Sequence, residues 1–116
     1  MNYFASQSNT QSSTLREEAQ LSRNVKIAAR EHGYEHTDVA LALVALGDFY
    51  FSDERFVDSA NAFKRAVDIY ETLGEGHQLL SAMAMRSMSN SLILQGRCAE
   101  GVAINENARA LIQSYQ

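Results

Sequence analysis

The stretch "DVALALVALGDFYF", residues 38 to 51, decides how the rest of the chain is read. From Val39 to Phe51, 11 of 13 residues are apolar, and only Gly47 and Asp48 interrupt them. Leu43, Leu46, Gly47 and Tyr50 recur at i, i+3, i+4 and i+7, and the run is longer than a usual strand of about 5 to 6 residues, so the spacing predicts a helix. A helix that is apolar on almost every side must be covered on several sides. What covers it is the question the remaining sequence has to answer.

Immediately downstream, "FSDERF" breaks the pattern, with Asp53 placed to cap a following helix. In that helix Phe56, Ala60, Phe63, Val67 and Tyr70 form an apolar stripe opposite Asp58, Asn61, Lys64, Arg65, Asp68 and Glu71. Upstream, Leu15, Ala19, Leu21, Val25, Ile27 and Ala28 give an imperfect helical stripe that Gly33 ends, and Thr37 or Asp38 is placed to cap the opening run. The turn "LGEGH", residues 73 to 77, leads into a helical pattern from Leu79 to Leu94, with Met83, Met85, Met88, Leu92 and Ile93, which Gly96 stops. A last helix places Val102, Ala108, Leu111 and Ile112 on one side. The reading is all-α, with helices over about 15–31, 38–52, 55–73, 78–95 and 98–114 in one domain spanning 14–116. Residues 1–13 are rich in Ser, Gln, Asn and Thr without an apolar period and read as a flexible N-terminal tail.

Composition narrows the function classes. The chain has 116 residues, 46% of them apolar and 21% charged, which is the balance of one globular domain. Ten Lys plus Arg against fourteen Asp plus Glu give a net charge of −4, and the basic residues are scattered, so no footprint for a nucleic-acid backbone is present. No apolar run approaches the roughly 20 residues a bilayer requires, and the start lacks a basic segment followed by an apolar one. These features predict a soluble cytoplasmic protein with no nucleic-acid or membrane partner. A single cysteine, Cys98, suits a reducing compartment, and the absence of proline favours helices.

The chain also resembles itself at a spacing of 42. Leu43, Leu46, Gly47, Tyr50, Phe56, Ser59, Phe63 and Ala66 have as counterparts Met85, Met88, Ser89, Leu92, Cys98, Gly101, Asn105 and Ala108. Further back, Val67 and Ile69 match Val25 and Ile27, so the first helix reads as the second half of an earlier unit. This pattern of large, small and aromatic residues resembles the tetratricopeptide repeat, and its spacing, with "GYEHTDVALALVALGDFYF", is most similar to the kinesin light chain type of that repeat. Thr37 and Gln78 stand where that type usually has proline. Val44 and Ala45, like Arg86 and Ser87, replace its paired asparagines.

The resemblance implies about two and a half helix-turn-helix units in a right-handed α-solenoid, whose first helices line a concave groove. Leu43, Leu46, Gly47 and Tyr50 then pack within their own unit, and Ala42, Ala45 and Phe49 meet a neighbour. Leu41, Val44, Asp48 and Phe51 are left to line the groove beside Met83, Arg86, Asn90 and Ile93. Such a groove fits a partner's peptide or amphipathic helix, which makes a protein-interaction adaptor the expected function. The chain's own tail or a second copy would cover the same surface. With no polar last helix to close the array, the expectation is a homodimer or a place in a longer assembly.

No constellation for catalysis stands out, and the expectation is a non-enzyme with no cofactor. His32 and His36 have the i, i+4 spacing of metal-binding helices, but Gly33 lies between them and the stretch reads as a turn, so no metal site is assigned. His77 reads as a turn residue whose ring hydrogen-bonds a nearby helix end. Cys98 falls where a large residue usually packs between paired helices and is expected to be a buried, inert thiol. Glu17 with Glu18, Asp53 with Glu54, and Glu71 with Glu75 are explained by helix ends and solvated faces.

Overall fold

The computed structural model describes residues 2–114, with side chains from Ser13 onward. The tail expected over residues 1–13 lies, apart from Ser13, outside the residues described in full. Five helices follow one another: α1 (Asn2–His32), α2 (Thr37–Ser52), α3 (Phe56–Leu73), α4 (Gln78–Leu94) and α5 (Cys98–Gln113). No strand occurs among the described residues, so the protein is all-α. No described helix is long and apolar enough to cross a membrane.

Two expected caps fall elsewhere. His36, not Thr37 or Asp38, is the N-cap of α2: its backbone is extended and its Nδ1 accepts the Asp38 N–H at 3.0 Å. Asp53 ends α2 instead of starting α3, and Arg55, which makes no side-chain cap, precedes α3. The short turn explains this, because Arg55 N–H already donates back to Tyr50 O at 2.8 Å and fixes the chain before a side chain can cap. The step forces Glu54 to a φ of 60°, a left-handed conformation that costs a non-glycine residue roughly 1 kcal/mol.

Each helix packs chiefly on its neighbours in sequence: α1 on α2, α2 on α3, α3 on α4, α4 on α5. A chain so arranged is elongated. Its radius of gyration is 16.0 Å, against about 13 Å for a compact fold of this length. The core runs through Val25 and Ala28 of α1, Val39, Ala40, Leu43 and Leu46 of α2, Ala66, Val67, Ile69 and Tyr70 of α3, and Ala84 of α4. α2 is thus covered by α1 on one side and α3 on the other, which answers the question its apolar run raised.

The element boundaries repeat. α2 ends at Ser52 and α4 at Leu94, and α3 begins at Phe56 and α5 at Cys98, an offset of 42 in both cases. The same offset relates the turns. Arg55 N–H donates to Tyr50 O and Arg97 N–H to Leu92 O. Glu54 and Gly96 share a positive φ, and Arg55 pairs with Asp58 as Arg97 does with Glu100.

Where the helices of each pair approach most closely, one carries glycine and the other serine. Gly47 lies under the Phe63 ring, and a Cβ there would come within 2.7 Å of Phe63 Cε1. The Ser59 hydroxyl donates to Gly47 O at 2.9 Å and sits 2.9 Å from the Ser91 hydroxyl of α4. In the second pair the roles exchange: Ser89 of α4 donates to Gly101 O of α5 at 2.6 Å. A buried hydroxyl needs a partner; a neighbouring helix close enough to offer its carbonyl supplies one.

Candidate functional site

The eight residues expected to line a groove divide into four groups. Asp48 and Phe51 of α2 and Asn90 of α4 share a hollow of about 190 Å³, completed by Phe63 and Ser87. Phe51 is half-buried, its ring meeting Phe56 edge-on at 5.3 Å. Leu41 and Met83 are exposed, 50% and 57%, the highest values among the large apolar residues of α2 and α4 respectively. Arg86 lies in a second hollow of about 270 Å³ with Asn105, Arg109, Ile112 and Gln113. Val44 packs against the core, and Ile93 packs on α5, since a Cβ at Gly101 would sit 2.6 Å from Ile93 Cγ1.

The face extends further than the sequence suggested. A third hollow, of about 560 Å³, opens between α1 and α2 and is lined by Thr14, Glu17, Leu21, Ala45, Asp48 and Phe49 together with Ser52 and Asp53. Asp48 therefore belongs to two hollows at once. Although the residue as a whole is exposed, burial by the surrounding protein raises its carboxyl above the ordinary carboxylate range. At the far end, Arg86 and Arg109 face a hollow whose other linings carry no acid. Asn105 takes the position in the second pair that Phe63 holds in the first, and this substitution of amide for aromatic ring is the one sequence signal that the second hollow would be polar.

α1 is fastened to this face by a polar cluster. Glu18 accepts from the Arg55 guanidinium at 2.7 Å and from the Tyr50 hydroxyl at 3.1 Å, and Arg55 also lies 4.5 Å over the Tyr50 ring. The hydrogen bond from Arg55, helped by that from Tyr50 and by the Arg55 charge, holds the Glu18 carboxyl below its usual range against the opposing effect of burial. Burial, then the bond to Glu18, pushes the Tyr50 phenol up. Glu18 is thus more than a solvated partner of Glu17: it holds Arg55, 37 residues away, a contact that helical spacing does not reveal.

Of the remaining singled-out residues, Cys98 departs from the expectation and His77 follows it. Cys98 is exposed, not buried: it opens α5, which among the described residues packs chiefly on α4. His77 does bond a helix end, its Nε2 lying 3.2 Å from Thr37 Oγ1 at the start of α2. His32 and His36, separated by the Gly33 turn, nevertheless stack with ring centroids 4.4 Å apart, and Asp38 joins them.

Compared with family models, with curated proteins and with solved structures, the chain matches none.

Proposed function

We propose that this chain is a helical-repeat module of tetratricopeptide type that holds a peptide or helix of a partner protein against the α2–α4 face. The reading of α2–α3 and α4–α5 as two copies of one unit, with α1 as half of a third, is supported by the shared offset of 42 in helix boundaries and turn bonds. A solenoid is favoured over a bundle by packing that follows chain order. The observation that carries the binding role is the hollow shared by Asp48, Phe51, Ser87 and Asn90, which joins the first helices of both units on one face. Leu41 and Met83 add exposed apolar surface to those helices. Apolar surface punctuated by a carboxylate, an amide and the guanidinium of Arg86 suits an amphipathic segment. The role needs no catalytic group and no cofactor, and our reading is of a cytoplasmic adaptor or scaffold.

A second reading is that the same α2–α4 face, together with the end helix α5, forms a homo-oligomer interface. Val102 occupies the position that Ala60 holds in α3, yet Ala60 is 4% exposed and Val102 50%. An uncovered end of this kind also serves homo-oligomerisation.

The two readings separate on two variants. Phe51→Glu blocks the shared hollow, and Met83→Glu with Asn90→Lys alters the same face at exposed positions if Phe51→Glu does not fold. Loss of partner capture by a chain that remains folded and keeps its mass supports binding in trans. A change of oligomeric mass in the face variants identifies a self-interface instead, and capture unaffected by either variant excludes the face.

A further inference from the structure

The junction of α1 and α2 brings together three side chains with the chemistry of metal ligands. His32 ends α1, His36 caps α2, and Asp38 is the second residue of α2. Gly33, at a φ of 86°, folds the chain back between the histidines, so a turn achieves what the i, i+4 spacing would have achieved on a helix. The rings stack at 17°. His32 Nε2 lies 3.1 Å from Asp38 Oδ2, and His36 Nδ1 lies 3.9 Å from the same oxygen. One ligand atom from each of the three residues lies within 4.8 Å of the others. Glu31 sets a second carboxylate 3.9 Å from His32 Nε2.

Bonds of about 2.0 to 2.2 Å to a tetrahedral ion hold its ligand atoms roughly 3.4 Å apart. The His32–Asp38 distance of 3.1 Å is already close to that value, and His36 approaches it by turning its half-exposed ring out of the stack. Two imidazole nitrogens and a carboxylate oxygen suit a divalent transition ion such as zinc better than magnesium or calcium, which prefer oxygen throughout. Three protein ligands leave a coordination position for water, as the half-exposed setting allows.

We propose that His32, His36 and Asp38 form a zinc-class metal site that staples the end of α1 to the start of α2. Binding has a defined local consequence. His36 Nδ1 accepts the Asp38 N–H, and that bond is given up whichever nitrogen ligates: ligation by Nδ1 uses the accepting lone pair, and ligation by Nε2 moves the ring proton to Nδ1. The ion thus replaces a helix cap with a cross-link between two helices. Together with the Glu18–Arg55 pair, it would fix α1 at both ends of its contact with α2.

The test is calorimetric titration of the full chain with Zn²⁺ alone, paralleled by Co²⁺, whose visible spectrum reports coordination by nitrogen and oxygen. The expected result is one ion per chain, with affinity falling at least about tenfold in His32→Ala and in His36→Asn. Asparagine is chosen because it retains N-capping ability while removing the imidazole, so that loss of binding is not loss of the helix start. His77→Ala, which removes the only other histidine, leaves the affinity unchanged. Absence of saturable binding, or binding that survives both His32→Ala and His36→Asn, overturns the proposal.

Discussion

The α2–α3 and α4–α5 pairs are built alike and buried differently. Their turns share the same hydrogen bonds, the same positive φ and the same arginine–acid pair. Yet α3 buries Ala60, Phe63, Val67, Ile69 and Tyr70, whereas in α5 only Gly101 and Ala108 are buried. α3 lies between α2 and α4, and α5 packs chiefly on α4. Local geometry therefore follows local sequence, while burial follows the number of neighbours. The side chains agree with their situation: Asn105 and Arg109 stand in α5 where α3 has Phe63 and Val67.

The largest expected contrast is between Phe63 and Asn105. Phe63→Ala should cost about 3 to 5 kcal/mol by opening a cavity over Gly47, and Asn105→Ala under about 0.5 kcal/mol as a substitution outside the core, both measured by denaturant unfolding. Equal losses would break the comparison. Next come the two close approaches. Gly47→Ala and Gly101→Ala should each cost about 1 to 3 kcal/mol. In the first the new methyl meets the Phe63 ring, and in the second it meets Ile93 and the Ser89 carbonyl.

Glu18→Gln tests the link that α1 adds to the first pair and that the second pair lacks. It should cost about 1 kcal/mol at neutral pH, the range of a partly exposed ion pair. Because the folded carboxyl titrates below its ordinary range, its contribution is complete above the unfolded pKa and is lost as the pH falls through the folded one. The difference between wild type and Glu18→Gln should therefore shrink in acid and stay constant through neutrality. The smallest expected effects are opposite in sign at matched turn positions: Glu54→Gly should stabilise by up to about 1 kcal/mol, and Gly96→Ala should destabilise by about 1 kcal/mol.

Much of the fold was legible because helix periodicity is a local signal. Four helices begin and end within a residue of their expected limits, since Gly33, Gly74 and Gly96 mark stops that need no tertiary information. The caps were misplaced because His36 caps through a ring nitrogen and Arg55 is held by its turn, neither being a usual capping side chain. The candidate face was legible only in part. Asp48, Phe51 and Asn90 converge as their helical spacing implied, but Val44 packs against the core, and Ile93, though 38% exposed, also leans on Gly101 of α5. Which face of a helix is left open depends on crossing geometry, and that is set by contacts such as Ile93 on Gly101 that lie outside any one helix's period. The Glu18–Arg55 pair was missed, and the His32–His36 spacing was set aside as a turn, because chain reversal, not helical spacing, brings these groups together.

The central claim is that two similar helix pairs stack in sequence and are buried according to how many neighbours cover them. Native-state hydrogen exchange, read helix by helix, tests it most directly, because local opening reports how each element is held. The account expects the slowest exchange in α2 and α3, faster exchange in α4, and the fastest of the four in α5. A single common rate for α2 through α5 would mean one undivided bundle and would contradict it.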